Sequence, residues 1–393
     1  MTATASPEPR SAGAATRVWR WFEERSGINA VWTVFFARKI PLGVSWLYTL
    51  GFATLFVFTV QVATGIFLAM YYSASPDHAY DSINFIMYQV PFGAVVRGIH
   101  HWGASAMVVL VVLHMATVFT LGAYKYPREL TWIVGVILLI LTLGFGFTGY
   151  LLPWDEKAYW ATVVGTNIPG TVPIIGQYLL LIVRGGAQLG ALTLARFYAV
   201  HTLLLPASLA GLVAVHLYLI VYHGVSVPPA LWERLPRQAR GFLGSQQAVR
   251  KGQALRGEEY HERYTEFKEK GHSFWPNIIV EDMIMAAVVL LAILATMVIL
   301  GVPLEARADP TNTSYVPRPD WYFLFLFQML KLFPGFLEWF GAVVVPGLVL
   351  TLILLLPIYD RSPWRSPSRR PLAMAVAAIL GVAVIILTYL GAQ

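Results

Sequence analysis

Four histidines in two apolar stretches are the residues of this sequence best suited to bind metal. In the stretch from 97 to 124, His100 and His114 are fourteen residues apart. On an α-helix this spacing falls about 40° short of four full turns, so both imidazoles share one face, about 21 Å apart along the axis. In the stretch from 196 to 223, His201 and His216 are fifteen residues apart, which is about 60° past four turns. Two such helices facing each other could hold two stacked metals.

Composition places these histidines in a membrane. The 393 residues are 57% hydrophobic and 12% charged, and several apolar runs reach the roughly 20 residues that cross a bilayer. The sequence predicts an all-α integral membrane protein with seven transmembrane helices, at about residues 46–72, 98–122, 130–151, 198–222, 278–302, 337–358 and 372–391. Residues 18–24, with aromatic side chains among charges, are typical of a helix that lies in the membrane interface.

The distribution of charge predicts the orientation. Arg and Lys are concentrated in the N-terminal arm, after the second span, in the stretch 224–274 and after the sixth span. The positive-inside rule puts these segments and the N-terminus in the cytoplasm, as seven alternating spans require. The arm has no early apolar core with a small-residue cleavage site, so we expect no removable signal peptide. His100 and His201 then lie towards the outer side, and His114 and His216 towards the inner side.

The depths of the histidines predict how they pair. Haem b with two histidine ligands needs one imidazole on each side of the macrocycle, so we expect an outer pair, His100 with His201, and an inner pair, His114 with His216. The alternative is that hydrogen bonds satisfy these imidazoles, but ionisable groups in spans are costly, and four at matched depths favour ligation. His101 is turned about 140° away from His114. The chain has no cysteine, which excludes thiolate-bound clusters and thioether-attached haem.

Glycines repeat the histidine spacing on two other predicted spans. Two glycines fourteen residues apart occur on the first span, Gly51 and Gly65, and two on the third, Gly135 and Gly149. Glycine lets a flat macrocycle lie against the backbone, although close helix packing is the competing explanation. The first four spans are therefore predicted to form a di-haem four-helix bundle. Arg97 and Arg196 precede the outer pair and could bind haem propionates or extend to the interface.

Five motifs resemble cytochrome b of the Rieske/cytochrome b complexes (bc1/b6f type), most closely a cytochrome b6 fused to its three-helix partner, subunit IV. The motifs are RGIH at 97–100, PRELTW at 127–132, GYLLPWD at 149–155, RFYAVH at 196–201 and PDWY at 319–322. The resemblance divides the chain into a cytoplasmic arm (1–45), a b6-like di-haem domain (46–223), a basic cytoplasmic linker (224–274) and a subunit IV-like three-helix domain (275–393).

The resemblance implies a subunit of a respiratory-chain quinol oxidoreductase whose acceptor is cytochrome c or a plastocyanin-like protein. Quinol oxidation at an outer site would send one electron to a Rieske iron–sulfur protein and the other through two non-covalent b haems to an inner quinone site, with proton translocation. The implied setting is a homodimeric complex in the bacterial plasma membrane, with a c-type cytochrome or equivalent acceptor as partner. Nucleic acid is not an expected partner. No covalent c-type haem is expected, because Thr49 stands where b6 relatives have the attaching cysteine.

The resemblance also implies residues of the outer quinol site. The segment after the third span would contribute Tyr159 and Thr166, and the later motif would contribute Asp320, Trp321 and Tyr322. Most relatives have glutamate where this chain has Asp320. Its carboxylate could accept a quinol proton as a general base, or could merely cap the short helix that follows.

The inner site is less defined by the sequence. His223 follows His216 by seven residues, close to the same helix face, and with Asp282 it is the candidate for proton delivery to an inner quinone; an interfacial histidine in water is the alternative. The arginine that relatives use near the inner haem is replaced by Thr117. Inner propionates are therefore expected to use other cations, among Lys125, Arg128, Arg38 and Lys39.

Two other functional classes need different sequence features. A di-haem b membrane anchor of another quinone-linked dehydrogenase or reductase would not need the PDWY motif or the last three spans. A proton-coupled transporter typically has an internal repeat or paired broken helices around a midplane site, and we find neither pattern in the sequence.

Overall fold

A computed structural model describes residues 13–233 and 256–393 of the chain. Five basic residues of the predicted linker lie outside the described residues: Arg234, Arg237, Arg240, Arg250 and Lys251. Seven helices of the described residues are long and apolar enough to cross a membrane, which confirms the predicted number. They are α3 (Trp46–Ala69), α5 (Gly93–Thr120), α6 (Glu129–Tyr150), α9 (Ala191–His223), α12 (Phe274–Leu300), α14 (Gly335–Leu354) and α16 (Pro371–Ala392).

Shorter elements connect these spans or cover their ends. The helices are α1 (Ala14–Ser26), α2 (Ile28–Phe35), α4 (Ala79–Tyr88), α7 (Glu156–Gly170), α8 (Gly176–Arg184), α10 (Pro229–Trp232), α11 (Gly257–Glu269), α13 (Trp321–Leu332) and α15 (Leu356–Tyr359). Two short strands, β1 (Lys39–Ile40) and β2 (His272–Ser273), pair antiparallel. The helix predicted around residues 18–24 is α1, and its aromatic side chains are exposed; its position in the membrane interface stays a prediction.

The first four spans form the predicted bundle. Helix α3 packs along α5, α6 packs along α9, and α5 also touches α6. Helix α12 lies against α3 and α5, α14 lies against α6, and α16 packs on α13. Large apolar side chains on the outer faces of these spans are exposed, as a lipid-facing surface requires.

Helix α9 contains a wide turn at Val200–Leu204, where the backbone forms π-helical hydrogen bonds. Pro206 follows this turn and has no N–H to donate to the carbonyl four residues earlier. A π turn takes up one additional residue. The π turn therefore accounts for the one residue by which the His201–His216 spacing exceeds the His100–His114 spacing. As a result, His201 and His216 lie on one helix face in the same relation as His100 and His114.

A crossing loop (residues 301–318) connects α12 to the PDWY motif and lies against α5 of the bundle. The backbone N–H of Glu156 donates to Ala306 O at 2.9 Å, and Ala308 N–H donates to Trp154 O at 3.1 Å. The Asp155 carboxylate accepts from Glu305 N–H at 3.1 Å. These bonds fix the loop on the start of α7, so the PDWY motif that follows it is held above α5 and α6.

The end of the predicted linker is folded. Within α11, Tyr260, Tyr264 and Phe267 lie three and four residues apart, which gives this short polar helix one apolar stripe. That stripe packs against Trp232 and Val227, and β2 then pairs with β1 of the N-terminal arm. The structure differs here from a simple linker because the aromatic residues are spaced for one helix face.

Candidate functional site

The two imidazoles of the outer pair face each other. The ring centroids of His100 and His201 are 6.4 Å apart, with an angle of 74° between the rings. Because metal–imidazole nitrogen bonds are about 2.0–2.1 Å long, one metal ion fits between the two rings. Among residues 13–233 and 256–393, no group of three or more His, Cys, Asp or Glu side chains could hold a metal. Two protein ligands fit a metal whose other ligands come from a macrocycle, as in haem.

Two threonines orient the outer imidazoles. Thr64 Oγ1 lies 2.9 Å from His100 Nδ1, and Thr148 Oγ1 lies 3.2 Å from His201 Nδ1. Each hydroxyl donates its own proton to the carbonyl four residues earlier, at 2.7 Å and 2.8 Å. The Nδ1–H groups must therefore be the donors to the threonines, which leaves each Nε2 lone pair for a metal.

These two threonines were not predicted as site residues from the sequence. Their signal was a repeated Thr-Gly dipeptide, at 64–65 and at 148–149.

Each of the four predicted glycines stands against one of the four histidines. A β-carbon would lie 3.1 Å from the histidine Cε1 at Gly51, 3.3 Å at Gly65, 3.4 Å at Gly135 and 2.5 Å at Gly149. The histidines so contacted are His114, His100, His216 and His201, in that order. His114 and His216 also lie within electrostatic reach of each other. The structure thus brings the eight residues together in two layers, each with two histidines and two glycines.

Most of the cations predicted to serve the inner haem bind protein groups instead. Lys125 Nζ forms an ion pair with Asp360 Oδ1 at 2.8 Å, and Lys39 Nζ donates to Glu269 O at 2.9 Å. Arg128 donates to Gly224 O at 2.8 Å and to the Tyr260 hydroxyl at 2.9 Å.

Arg38 is different from the other three. Its guanidinium lies 4.7 Å from the ring centroid of Phe274, and its buried Nε has no hydrogen-bond partner among the described residues. Burial lowers the pKa of Arg38, which Asp282 and Tyr264 partly offset. Of the four predicted cations, Arg38 therefore has a donor available for an anionic or carbonyl group.

The two arginines near the outer pair bind backbone carbonyls. Arg97 is buried and donates to Pro303 O at 2.8 Å, while Arg196 donates to Ile182 O at 3.0 Å. A guanidinium has five N–H donors, so both arginines keep donors for a propionate.

The two residues predicted to deliver protons to the inner site have different charged neighbours. His223 faces Arg128 and Glu129, whereas Asp282 faces Arg38.

The PDWY motif touches three helices with three consecutive residues. Asp320 forms an ion pair with Lys157 of α7, with Oδ1 and Nζ 3.2 Å apart. Trp321 Nε1 donates to Ser105 Oγ of α5 at 3.3 Å. Tyr322 packs on α6, where a β-carbon on Gly146 would lie 3.0 Å from the phenol ring. The motif therefore closes one end of the bundle beside the outer pair.

The Asp320 side chain does not cap the helix that follows it. Residue 320 precedes the turn Trp321–Phe323, but its carboxylate makes no capping hydrogen bond. Instead, the Tyr322 hydroxyl donates to Asp320 Oδ2 at 3.4 Å. Burial raises the pKa of Tyr322, and the Asp320 carboxylate raises it further, so the phenol stays protonated as a donor.

Tyr159 and Thr166 are both buried in the protein. Tyr159 packs edge-on against Trp154 and Trp160, with ring centroids 5.5 Å and 5.3 Å apart. The Thr166 hydroxyl accepts a hydrogen bond from Arg184 Nε at 2.7 Å and donates to a carbonyl of its own helix. Thr166 therefore anchors α8 to α7, and its hydroxyl is occupied. Arg184 was not predicted as a site residue from the sequence, because its partner Thr166 lies on a different helix.

Comparisons with known proteins show the family of the chain. The family model Cytochrome b/b6/petB matches residues 35–224, and Cytochrome b(C-terminal)/b6/petD matches residues 307–393. Cytochrome b6 of Synechococcus elongatus is 42% identical over 212 residues, which are 54% of this chain and 99% of that protein. The chain belongs to the cytochrome b/b6 family. Cytochrome b6 of Prochlorococcus marinus (strain MIT 9515) is 40% identical over 214 residues, 54% of this chain and 98% of that protein.

A solved structure shows that the similarity extends beyond the b6-like part. A chain of a structure described as Hyperthermophilic respiratory Complex III is 30% identical, with a TM-score of 0.78, over 95% of this chain and 91% of that one. The two matched family models show the fused architecture of b6 and subunit IV. This cytochrome b is thus an electron-transport protein of the membrane and a subunit of a quinol oxidoreductase complex.

Proposed function

We propose that this cytochrome b oxidises quinol beside the outer pair and transfers electrons to an inner quinone site, coupled to proton translocation. The observation that carries the proposal is the two-layer arrangement of four histidines and four glycines. Each layer offers two imidazoles and two flat backbone surfaces, which is the shape that a macrocycle needs. Two layers on the same four helices make a path across the membrane.

The chain's own residues would hold two non-covalent b haems. His100 and His201 would ligate the outer haem through Nε2, with both tautomers fixed by the threonine hydroxyls. His114 and His216 would ligate the inner haem. When bound, the haems supply one-electron transfer between the two layers. Arg97 and Arg196 would bind propionates at the outer layer, and Arg38 is the candidate at the inner layer.

The outer quinol site would lie under the PDWY motif. The Asp320 carboxylate would accept a proton from a quinol hydroxyl, breaking that O–H bond and forming a carboxylic acid. The Tyr322 hydroxyl would hold the carboxylate by its hydrogen bond, and Trp321, anchored on Ser105, would form part of the wall. Tyr159 and Thr166 would support this wall from behind, through the packing of α7 and α8.

We also propose the partners and the membrane setting. One electron of each quinol would go to a Rieske iron–sulfur protein and on to a c-type cytochrome or equivalent acceptor, and the other would go to the outer layer. The complex would be a homodimer in the bacterial plasma membrane. The concentration of Lys and Arg on one side favours a cytoplasmic N-terminus. At the inner site, Asp282 would bind quinone, with His223 as a separate proton donor.

Haem quantitation on the purified protein tests this proposal. A pyridine haemochrome spectrum with a redox titration of the α-band should show two non-covalent b haems per chain with separable potentials. His114→Leu should remove the inner haem and retain the outer one. His101→Leu is the matched control for ligation and should retain both. Absence of haem after haem-replete expression would overturn the proposal, and loss of the outer haem in His114→Leu would overturn the pairing.

A further inference from the structure

We propose that Lys157 is a positioning residue for Asp320 in quinol oxidation. The inference rests on the proposed function, because it takes Asp320 as the base that accepts the quinol proton. Lys157 does not need to touch quinol for this role. It acts on the position and charge of the carboxylate that does.

The carboxylate of Asp320 is held from two sides. Oδ1 lies 3.2 Å from Lys157 Nζ, on α7, and Oδ2 lies 3.4 Å from the Tyr322 hydroxyl, on its own segment. In the described part of the chain, Asp320 forms no second ion pair. The orientation of the carboxylate therefore depends on one contact from within the PDWY motif and one from a helix that is distant in sequence.

Helix stability does not explain why a lysine occupies position 157. It is the second residue of α7, a helix that begins after its N-cap Asp155. The helix dipole favours acidic side chains at this end and disfavours cations. Glu156 follows that preference and Lys157 opposes it. The ion pair with Asp320 supplies the favourable interaction that the helix itself does not.

Partial exposure of both side chains allows the ion pair between Lys157 and Asp320 to break and re-form. The Lys157 side chain is 36% exposed and that of Asp320 is 22% exposed, so both can exchange with water. Before proton transfer, the Lys157 ammonium attracts the negatively charged carboxylate. After the quinol O–H bond breaks and the carboxylic acid forms, that charge attraction is lost. The neutral acid is then free to leave Lys157 and release its proton outwards.

Three other titratable groups face Asp320 from the elements around it. They are His101 on α5, Tyr150 on α6 and Tyr322 on the same segment. Lys157 Nζ also lies 5.8 Å from the ring centroid of Tyr150. In the described residues, none of these three groups makes an ion pair with the carboxylate, whereas Lys157 does. Removal of Lys157 therefore changes the electrostatic environment of Asp320 most directly.

A double-mutant cycle on the intact complex tests the proposal. Lys157→Met and Lys157→Arg are made alone and with Asp320→Asn, and steady-state kinetics are measured with a soluble naphthoquinol and a soluble benzoquinol. We expect Lys157→Met to lower kcat about fivefold, as for a partly exposed ion pair, with partial recovery in Lys157→Arg. In the Asp320→Asn background, Lys157→Met should have no further effect.

Controls separate the possible outcomes. Lys331→Met removes a lysine of α13 that contacts Phe327 and should leave kcat unchanged. If Lys157→Met lowers kcat equally in the wild-type and the Asp320→Asn backgrounds, the proposal is overturned. It is also overturned if the Lys157→Met enzyme has wild-type kinetics or has lost haem. An unchanged rate in Asp320→Asn would instead overturn the proposed role of Asp320 itself, which distinguishes the two failures.

Discussion

Gly149 lies directly against His201. A β-carbon at Gly149 would stand 2.5 Å from His201 Cε1, whereas a β-carbon at Gly135 would stand 3.4 Å from His216 Cε1. The first distance is too short for any real contact, and the second is an ordinary van der Waals contact. The two glycines of α6 therefore differ in how strictly the histidine opposite them excludes a side chain.

This difference predicts the effect of two matched substitutions. Gly149→Ala should displace the His201 ring and lower haem occupancy of the outer layer severalfold, because overpacking at a rigid position forces neighbours to shift. Gly135→Ala should leave the inner haem largely in place. Separate α-band amplitudes in a redox titration measure both. Equal losses in the two variants would contradict the geometry.

The threonine hydroxyls predict an effect on the outer layer alone. Thr148→Val removes the hydrogen bond to His201 Nδ1 and keeps the side-chain shape, so haem affinity should fall about 10–100-fold, as when a second-shell partner of a metal ligand is lost. The outer midpoint potential should also shift. Haem retention during dilution and potentiometry are the measurements. Thr142→Val, a buried threonine of the same helix that bonds only its own backbone, is the control.

The ion pair between Lys125 and Asp360 predicts a loss of stability. Asp360→Asn leaves a mostly buried ammonium without its charge partner, which should lower the free energy of unfolding by about 3 kcal/mol. Thermal unfolding of the purified complex followed by haem release measures the change. Lys270→Met, which breaks an exposed pair with Glu266, should change Tm little.

The same pair predicts a pH dependence. Burial favours the neutral acid, but hydrogen bonds from Lys125 and Tyr124 outweigh it and lower the pKa of Asp360. A carboxyl with a lowered pKa stabilises the fold above its unfolded pKa of about 3.9 and loses this contribution as the pH falls. The Tm difference between wild type and Asp360→Asn should therefore be full near pH 6 and shrink below about pH 4. A constant difference over this range would exclude the ionised carboxylate as its cause.

The folded segment at α11 predicts local opening without loss of haem. Tyr260 is almost fully buried and its hydroxyl accepts from Arg128 at 2.9 Å. Tyr260→Ala should release α11 and increase backbone hydrogen exchange across residues 257–269, since the apolar stripe loses its most deeply buried side chain. Glu262→Ala, on the exposed face of the same helix, should leave exchange unchanged. Haem content should be the same in both variants.

The sequence by itself determined the seven spans and the four histidines with their matching glycines. Both depend on helix periodicity and on the length of apolar runs, which are local properties of the chain. The helix face on which His201 lies relative to His216 could not be predicted in this way. It depends on the π turn before Pro206, which a regular 3.6-residue period does not contain.

Tertiary structure decided which groups the functional side chains meet. Lys125 and Arg128 looked available for the inner haem, but residues about one hundred or more positions away in the sequence occupy them. The Lys157–Asp320 pair likewise joins residues 163 positions apart. Such partners come together only when helices pack, because a side chain's charge and shape determine what it can bind, and the fold determines what is near enough to be bound.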